Sequence, residues 1–342
     1  MKRKAFVAGA AAGVLGPWSA ARATGGRDVE GPVVGHEVRV LLASASGAAP
    51  PAEPVDAYSF RWNGRMYRGR ATSAVLPDGR IGLIDAVPLD AYLYSVVNKE
   101  LSAGWPAGAL QAQAIVARTY ALTKGRPGKP YDVVAGDADQ VYGGMDAESV
   151  EARAAVDATA GTIVTFAGAP ARLAFGSCCG GYTADAGDLW GSDVPYLRGV
   201  PDPHCAIAPE YHWERETPYD EFARAFGARA IDIGDVQSVD LRDIDQTGRP
   251  RRVALVGARE AIELKTTAFR SAVGTSVVRS TLVQSVRLLR TGNAPSTVAI
   301  AGAGRGHGVG LCQWGARGMA QAGADAAAIV QFYFPQTALG RA

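Results

Sequence analysis

The segment from residue 98 to residue 122, NKELSAGWPAGALQAQAIVARTYAL, contains one carboxylate that could do chemistry. Glu100 stands just before a Trp-Pro step and a long alanine-rich helical pattern, and its only ionisable neighbour is Lys99. Leu101, Trp105 and the apolar helix face could exclude water from this carboxyl group, which raises its pKa. A carboxyl that stays protonated near neutral pH can act as a general acid. The alternative is a glutamate on a helix surface, the more common situation.

Two glycine-rich segments could let the backbone approach a ligand closely. The first has Ser177 followed by Gly180 and Gly181, and the second surrounds His307 and is followed by Gln313. No GK[ST] follows either segment, which excludes a phosphate loop, and no βαβ pattern indicates a dinucleotide site. His307 could donate to a substrate or could be a structural hydrogen-bonding residue.

Glycine-lined grooves with an aromatic face suit extended polysaccharides, because sugar rings have apolar faces that stack on aromatic rings. Trp190 and Trp314 are the candidates for such stacking. Packing in the core is the alternative for both, since large aromatic side chains are usually buried.

The composition is that of a loop-rich globular protein, with 42 glycines and 48% hydrophobic residues among 342. The opening residues, MKRKAFVAGAAAGVLGPWSAARA, have the basic start, apolar middle and small-residue end of a secretory signal peptide, cut after Ala23. A membrane anchor is disfavoured, because glycine and proline interrupt a stretch shorter than the roughly 20 apolar residues that span a bilayer. We therefore expect a mature protein that is secreted or held in the cell envelope, without a membrane span.

Cleavage would remove four of the 35 basic residues and none of the 33 acidic ones, leaving a net charge of −2. This balance does not indicate a nucleic-acid partner. The extracytoplasmic setting would permit a disulfide between some of the four cysteines.

The hydrophobic pattern changes period along the chain. Short strands with turn signals run from residue 36 to about residue 88, and helical spacing follows in PLDAYLYSVVNKEL (88–101) and from residue 106 to residue 124. Residues 131–200 have strand and glycine-turn patterns, 218–227 a short helical one, and strand patterns continue to about residue 300. A glycine cluster and two helical segments end the chain.

The pattern predicts an α+β fold of mixed strands and segregated helices around a cleft. We expect residues 24–35 to be a flexible leader and residues 36–342 to form one domain. Its regions would be an N-terminal strand region (36–88), helices and cleft (89–215), a strand-rich segment (216–300) and a C-terminal glycine motif with helices (301–342).

Three long blocks occur together, in the order of one known family. They are VPLDAYLYSVVNKELSAGWPAGALQAQAIVARTYAL, FGSCCGGYTADAGDLWGSDVPYLRGVPDPHC and GRGHGVGLCQWGARGMAQAGADAAAIVQFYFPQT, with AFRSAVG between the second and the third. The chain thereby resembles the SpoIID/LytB family of peptidoglycan lytic transglycosylases and amidase enhancers over roughly residues 36–337. It departs from the family pattern at Lys99, where small residues are frequent, and at Gly176, where many relatives have histidine.

The resemblance implies a cell-wall enzyme, with a role such as sporulation, that cleaves the MurNAc–GlcNAc glycan backbone. Glu100 would be its catalytic acid, and no cofactor would be required. One carboxyl group suffices for a lytic transglycosylase, because the C6 hydroxyl of the same MurNAc ring attacks C1 at high effective concentration. Glu100 would protonate the leaving oxygen and then take the proton of O6, producing a 1,6-anhydro end. The alternative is a non-catalytic wall-binding protein that enhances an N-acetylmuramoyl-L-alanine amidase.

The resemblance also favours substrate-binding roles for polar and glycine residues in the three blocks and in DADQVYGG (137–144). Amides and guanidinium groups suit sugar hydroxyls and carboxylates because they offer fixed pairs of donors. Solvated helix faces, tertiary hydrogen bonds and turn packing are the alternatives. The candidates are Gln111, Gln113, Arg118, Tyr120, Gln140, Tyr142, Ser177, Gly180, Gly181, His307, Gln313 and Trp314.

Ordinary glycoside hydrolysis uses two carboxyl groups. Asp132, Asp137 and Asp139 are the residues that could supply a second one. If any of them lay opposite Glu100, a muramidase would become the favoured interpretation.

The cysteines allow a metal site or a disulfide. Some relatives hold a structural zinc in this region, and Cys179, His204 and Cys205 could be three ligands here, with His212 or Cys178 as a fourth. The secreted setting favours a Cys179–Cys205 disulfide instead. A cysteine-nucleophile hydrolase is disfavoured, because neither Cys178 nor Cys179 lies in a thiol-hydrolase motif.

Overall fold

A computed structural model of the chain describes residues 36–101, 104–126, 128–227 and 233–342. The predicted signal peptide (1–23) and leader (24–35) lie outside these residues. The described residues form helices and several small sheets, which confirms the predicted α+β class. None of the helices in these ranges combines the length and apolar character needed to cross a bilayer.

The strands are short, with lengths of two to ten residues. In chain order they are β1 (Glu37–Ala45), β2 (Glu53–Asp56), β3 (Ser59–Trp62), β4 (Arg65–Arg68), β5 (Arg70–Val75), β6 (Ile81–Pro88), β7 (Val133–Val134), β8 (Thr162–Phe166), β9 (Ala169–Pro170), β10 (Phe175–Gly176), β11 (His212–Pro218), β12 (Val236–Ile244), β13 (Pro250–Gly257), β14 (Ala261–Lys265), β15 (Leu282–Thr291), β16 (Ala294–Ala303), β17 (Leu311–Cys312) and β18 (Ala338–Arg341).

The helices lie between these strands. They are α1 (Leu89–Glu100), α2 (Ala107–Thr123), α3 (Val150–Ala158), α4 (Ala186–Trp190), α5 (Tyr219–Gly227), α6 (Thr266–Val273), α7 (Gln313–Gln321) and α8 (Ala326–Tyr333). Three short 3₁₀ segments, Met145–Ala147, Pro195–Leu197 and Pro203–Ile207, complete the described secondary structure.

The two helices that flank Glu100 both begin after a proline. Pro88 precedes α1 and Pro106 precedes α2, where a missing backbone N–H costs nothing because the first N–H groups of a helix have no intrahelical partner. The helix α1 ends at Glu100, and the chain becomes extended at Leu101, which breaks the helix directly after the carboxylate.

The long helix α2 lies between two hydrophobic cores. Its small side chains allow close packing on both sides, which is why a helix of alanines with little amphipathic character is buried here. Ala109, Ala112, Ile115 and Val116 contact a core that includes β8, α7 and α8. Leu110, Ala114, Ala117 and Ala121 contact a core that includes β1, β6, α1 and α3.

A four-stranded sheet with the order β5-β6-β1-β7 supports α1 and α2. Strand β1 pairs antiparallel with β6 and parallel with β7. The chain passes through α1 and α2 between β6 and β7. The helix α3 departs from the sequence prediction of strands and glycine turns at 131–200. Ser149 caps its first turn by accepting from the Ala152 N–H, and its buried side chains are small.

The strand-rich segment forms a third core of its own. The sheets β11-β16-β15 and β12-β13-β14 enclose the aromatic and branched side chains of α5 and α6. Phe222, Phe226 and Phe269 are fully buried within it; Phe226 stacks on Phe269, and Phe222 packs edge-on against both rings. This unit supplies one wall of the cleft described next.

Candidate functional site

The side chain of Glu100 lines a cleft of about 690 Å³. One side is formed by the end of α1, the end of α2, the turn at 136–141 and β10. The opposite side is formed by α6 and the loops that follow it and precede β17. Among the described residues its walls include Glu100, Tyr120, Lys124, Asp137, Asp139, Val141, Phe175, Ser177, Trp190, Arg270, Thr275, Ser276, Arg279, Arg305, His307 and Gln313.

The Glu100 carboxylate is partly buried and accepts one hydrogen bond at each oxygen. The Val141 N–H donates to Oε1 at 3.1 Å, and Gln313 Nε2 donates to Oε2 at 3.1 Å. Burial raises the pKa of Glu100 above its ordinary value, while these two donors oppose the change and the negative charge of Asp137 adds to it. A carboxyl group with a raised pKa, open to a cleft, meets the requirement for a general acid.

Asp139 anchors the turn that forms the floor of the cleft beside Glu100. Its carboxylate pairs with Lys124 at 3.0 Å and with Arg126, and it accepts from the Tyr120 hydroxyl at 3.0 Å. Asp132 pairs with Arg39 on β1 and lies outside the cleft. Of the three aspartates considered from sequence, Asp137 is therefore the one whose carboxylate lines the cleft without an ion-pair partner among the described residues.

His307 also lines the cleft, next to β10. Its ring packs edge-on against Trp190, with centroids 5.1 Å apart, and its Nδ1 accepts from the Val309 N–H at 2.9 Å. Burial and the positive charges of Arg270 and Arg249 lower the pKa of His307 to about 4. The imidazole is neutral at physiological pH, and its Nδ1 is occupied as an acceptor.

Three arginines give the opposite wall a positive charge. Arg279 and Arg305 share the Glu210 carboxylate, with Arg305 Nη1 at 2.9 Å. Arg270 donates to the backbone carbonyls of Val278 and Arg279 at 3.0 and 3.2 Å, and within the described residues it has no acidic partner. Sequence reasoning missed these residues, although Arg270 lies in the AFRSAVG segment already noted for its family resemblance.

The structure brings several of the predicted site residues into one cleft. Glu100, Tyr120, Ser177, His307 and Gln313 line it together. Tyr120 packs edge-on against Phe175, with centroids 5.9 Å apart, and so forms an aromatic wall that the sequence did not indicate.

Arg118 does not line the cleft, which corrects the expected role in the site wall. It is fully buried and pairs with Asp90 at 3.0 Å. Its remaining donors reach the Val156 and Thr162 carbonyls at 3.1 Å. Arg118 therefore ties α2 to α1 and α3.

Gln140 and Tyr142 lie behind the cleft rather than in its wall. Gln140 is fully buried and accepts from the Tyr92 hydroxyl at 3.2 Å, and the Tyr142 hydroxyl donates to Asp85 at 2.9 Å. Both side chains are buried and hydrogen bonded within the protein, so the expectation of direct sugar contacts does not fit them.

The remaining candidates also lie outside the cleft lining. Gln111 is partly exposed on α2, while Gln113 is fully buried, with neither amide atom hydrogen bonded among the described residues. Gly180 and Gly181 have positive φ angles of 78° and 104° and pack against Ala303 and Tyr211. Trp314 packs against Trp105 at a tilt, with ring centroids 5.1 Å apart, and lies against the core.

A second cluster lies in the core, away from the cleft. The side chains of Cys179, Asp202, Cys205 and Cys312 are buried, and one potential ligand atom of each lies within 4.8 Å of the others. Cys179 Sγ is 3.1 Å from Asp202 Oδ2 and 3.6 Å from Cys205 Sγ. The four donors could hold a metal such as zinc, since thiolates about 2.3 Å from a tetrahedral zinc ion are about 3.8 Å apart.

This donor set corrects the predicted ligands. Cys179 and Cys205 belong to it, but the His204 ring packs edge-on against Phe332 at 5.6 Å, and its backbone N–H donates to Asp202. Cys312 was not predicted because it is far from the others along the chain, and Asp202 because only cysteines and histidines were considered as ligands. All four cysteines are free thiols in the structure, so the expected Cys179–Cys205 disulfide is absent.

Comparisons with known proteins identify a family and several relatives. A family model described as Stage II sporulation protein matches residues 77–166, the range that contains Glu100 and the turn at 136–141. An uncharacterized protein of Brachyspira hyodysenteriae is 31% identical over 280 residues, which cover 80% of this chain and 72% of that protein.

Two relatives have functional names. Stage II sporulation protein D of Bacillus amyloliquefaciens is 30% identical over 268 residues, 73% of this chain and 74% of that protein. The amidase enhancer of Bacillus subtilis is 28% identical over 293 residues, 72% of this chain but only 40% of its own length. With this coverage, and with the matched segment carrying the carboxylate of the cleft, the chain belongs to the SpoIID family of stage II sporulation proteins.

Proposed function

We propose that the protein is a peptidoglycan lytic transglycosylase that cleaves the MurNAc–GlcNAc backbone outside the cytoplasm. The observation that carries this proposal is the Glu100 carboxyl group, which lines an open cleft and whose pKa is raised by burial. The names of the relatives, which concern sporulation and an amidase enhancer, agree with a cell-wall substrate. The predicted signal peptide would export the chain to that substrate.

One acid performs both proton transfers in this mechanism. Protonated Glu100 donates to the glycosidic oxygen as the bond to C1 of MurNAc breaks, and GlcNAc leaves with a free hydroxyl. The C6 hydroxyl of the same MurNAc ring attacks C1, and the Glu100 carboxylate accepts its proton. The carboxyl is regenerated and the product carries a 1,6-anhydro end, so water is not consumed.

The cleft has the features that an extended glycan requires. Tyr120, Phe175 and Trp190 offer aromatic surface to sugar rings, and Ser177 and Gln313 offer polar groups to hydroxyls and N-acetyl groups. Val141 and Gln313 each donate to one oxygen of the Glu100 carboxylate and so hold its orientation in the cleft wall.

The metal-binding cluster has a structural role in this proposal. Cys179, Asp202, Cys205 and Cys312 would hold a zinc ion in the core, where it would stabilise the fold. Since the cluster is buried and does not line the cleft, no step of the reaction involves it.

The test is the substitution Glu100→Gln, which preserves shape but removes the acid. Purified protein should release anhydro-muropeptides or anhydro-glycan fragments from sacculi, and the variant should bind sacculi but release nothing. Glu216→Gln, at an exposed position on β11, is the matched control and should behave as the native protein. Full activity of the Glu100 variant, measured by mass spectrometry of the products, would rule the proposal out.

A second candidate is favoured by the amidase-enhancer relative: a wall-binding protein that stimulates a partner amidase without cutting glycan itself. The two functions separate when the protein is incubated alone with sacculi. An enhancer releases nothing until its amidase is added, and Glu100→Gln would leave that stimulation unchanged.

A muramidase is favoured by one observation only, the position of Asp137 in the same cleft as Glu100. A hydrolase would use that second carboxylate to activate water. Its products would be heavier than anhydro products by one water per cut, and Asp137→Asn would abolish their release.

A further inference from the structure

The backbone N–H that donates to Glu100 comes from a turn whose neighbouring residues are anchored in the core. Residues 135–143 cross the end of α1, and the Val141 N–H donates to Glu100 Oε1 at 3.1 Å. A backbone amide cannot rotate by itself, because its direction is set by the two residues that flank the peptide plane. The Val141 N–H lies in the peptide plane between residues 140 and 141, so residue 140 acts on its direction directly. Residue 142 acts on it by fixing the chain that follows Val141.

Both flanking side chains are held by buried hydrogen bonds. The Gln140 amide accepts from the Tyr92 hydroxyl at 3.2 Å and donates to the Ala117 carbonyl at 3.4 Å. The Tyr142 hydroxyl donates to Asp85 Oδ2 at 2.9 Å. These partners lie on α1, α2 and β6, so three elements fix the two residues around Val141.

The helix that ends at Glu100, α1, also supplies some of the hydrogen bonds that hold the turn. Ser95 on α1 accepts from the Gly143 N–H at 2.9 Å, and Tyr92 lies on the same helix. On the other side of the turn, the Gly136 N–H donates to the Gln140 carbonyl at 3.0 Å. The donor and the acceptor of the Val141–Glu100 hydrogen bond are thus fixed to one helix.

We propose that Gln140 and Tyr142 are positioning residues that hold the Val141 N–H on the Glu100 carboxylate. Their side chains do not touch the substrate; they act through the backbone between them. The inference rests on the proposed function in one respect, since it assigns the result of this positioning to the catalytic acid. Its structural content, the coupling of Tyr142 to the titration of Glu100, is independent of catalysis.

The physical consequence is a change in the acidity of Glu100 when the turn loosens. A backbone N–H that donates to a carboxylate stabilises the charged form, so a weaker bond makes the carboxyl harder to ionise. Loss of one hydrogen bond to a charged carboxylate should therefore raise its pKa by about one unit.

The experiment is a carbon-13 NMR titration of the Glu100 carboxyl in protein labelled at the glutamate side chains. Glu100→Gln assigns the signal. In Tyr142→Phe the pKa of Glu100 should rise by about one unit. The alkaline limb of the pH–rate profile of glycan cleavage should move to higher pH by a similar amount. Tyr67→Phe removes a hydroxyl from the same aromatic cluster, 5.6 Å away between ring centroids, and should leave the titration unchanged.

A second pair of variants addresses the donor itself. Val141→Pro removes the N–H and should raise the pKa of Glu100 at least as far as Tyr142→Phe does, whereas Val141→Ala keeps the N–H and should not. If Tyr142→Phe lowers thermal stability but leaves the Glu100 titration at the native value, the residue is only structural and the inference is wrong.

The two proposals fail in different ways. If Glu100→Gln retains full glycan cleavage while Tyr142→Phe still shifts the titration, the catalytic assignment is wrong and the positioning network stands. If cleavage depends on Glu100 but neither Tyr142→Phe nor Val141→Pro moves its pKa, the positioning inference alone is wrong.

Discussion

Gln313 Nε2 donates a hydrogen bond of 3.1 Å to Glu100 Oε2, joining residues that are 213 positions apart in the chain. Gln313 is the first residue of α7, and Glu100 is the last residue of α1. The contact therefore brings the end of one helix to the start of another at the edge of the cleft. It also gives the carboxylate a second donor, opposite Val141.

Replacement of Gln313 by leucine should change the pH dependence of glycan cleavage. The hydrogen bond from Gln313 lowers the pKa of Glu100, so its loss raises a pKa that burial has already raised. Because a general acid works in its protonated form, activity should persist to higher pH, while the maximal rate falls about tenfold or more as the carboxyl loses its orientation. The pH–rate profile measures both effects.

Gln321→Leu is the control for this prediction, since Gln321 is exposed at the far end of the same helix. It should reproduce the native profile. A Gln313 variant with the native alkaline limb would show that this amide does not influence the acid.

Metal binding should require Asp202 and not His204. We expect the purified protein to contain about one zinc ion per chain, and Cys205→Ser and Asp202→Ala to lose it, because both remove a donor from the buried set. His204→Ala should keep the metal, since its ring packs against Phe332. Elemental analysis of the purified proteins measures the metal directly.

Chelation provides the accompanying stability measurement. Removal of zinc should lower the melting temperature of the native protein and of His204→Ala, but not that of Cys205→Ser. Zinc retention by Asp202→Ala together with its loss in His204→Ala would restore the ligand set predicted from sequence.

Substitution of Arg305 by glutamine should weaken the binding of anionic glycan more than that of neutral glycan. Arg305 lines the cleft and shares Glu210 with Arg279, so its loss reduces the positive charge of that wall. For a solvent-exposed charge we expect a few-fold rise in Kd that disappears at high salt.

The comparison uses glycan strands with free muramic acid carboxylates and neutral chitooligosaccharides of the same length. Arg242→Gln, at an exposed position on β12, is the control. An equal loss of affinity for both ligands would mean that charge is not what Arg305 contributes.

Asp85 should make the folded protein less stable as the pH rises. Burial raises the pKa of Asp85 from 3.8 to about 8, so between these values the folded state binds a proton that the unfolded state has lost. The stabilisation is complete below about pH 4 and is lost as the pH rises toward 8, by roughly 6 kcal/mol as an upper bound.

Asp85→Asn should remove this dependence. Urea unfolding between pH 5 and pH 8 should show the variant gaining stability relative to the native protein at each higher pH. A constant difference across this range would mean that the Asp85 carboxyl does not titrate there. Asp240→Asn, at a position with an exposed carboxylate, controls for the general loss of negative charge.

Local sequence patterns predicted helices and strands well where a regular spacing of apolar residues marks the buried face of the element. The helices that flank Glu100 follow from apolar spacing and from Pro88 and Pro106 at their starts, both of which are local signals. The helix α3 was missed because its nine residues are small or charged and lie within a region rich in strand and glycine patterns.

The sequence was less informative about which polar residues face the cleft. Arg118 and Tyr142 have the residue types expected of a sugar-binding wall, but burial places them in the frame that supports it. The side chain of a buried polar residue must find a partner, and the identity of that partner depends on elements far away in the chain.

By itself, the sequence determined the class of fold, the family and the position of the single acid at the end of a helix. Only the tertiary structure decided that Gln313 and Val141 share the Glu100 carboxylate, that Cys312 joins Cys179, Cys205 and Asp202, and that arginines line the facing wall. The reason is physical. Periodicity reports which face of one element is apolar, whereas contacts between elements depend on how the three cores pack around α2.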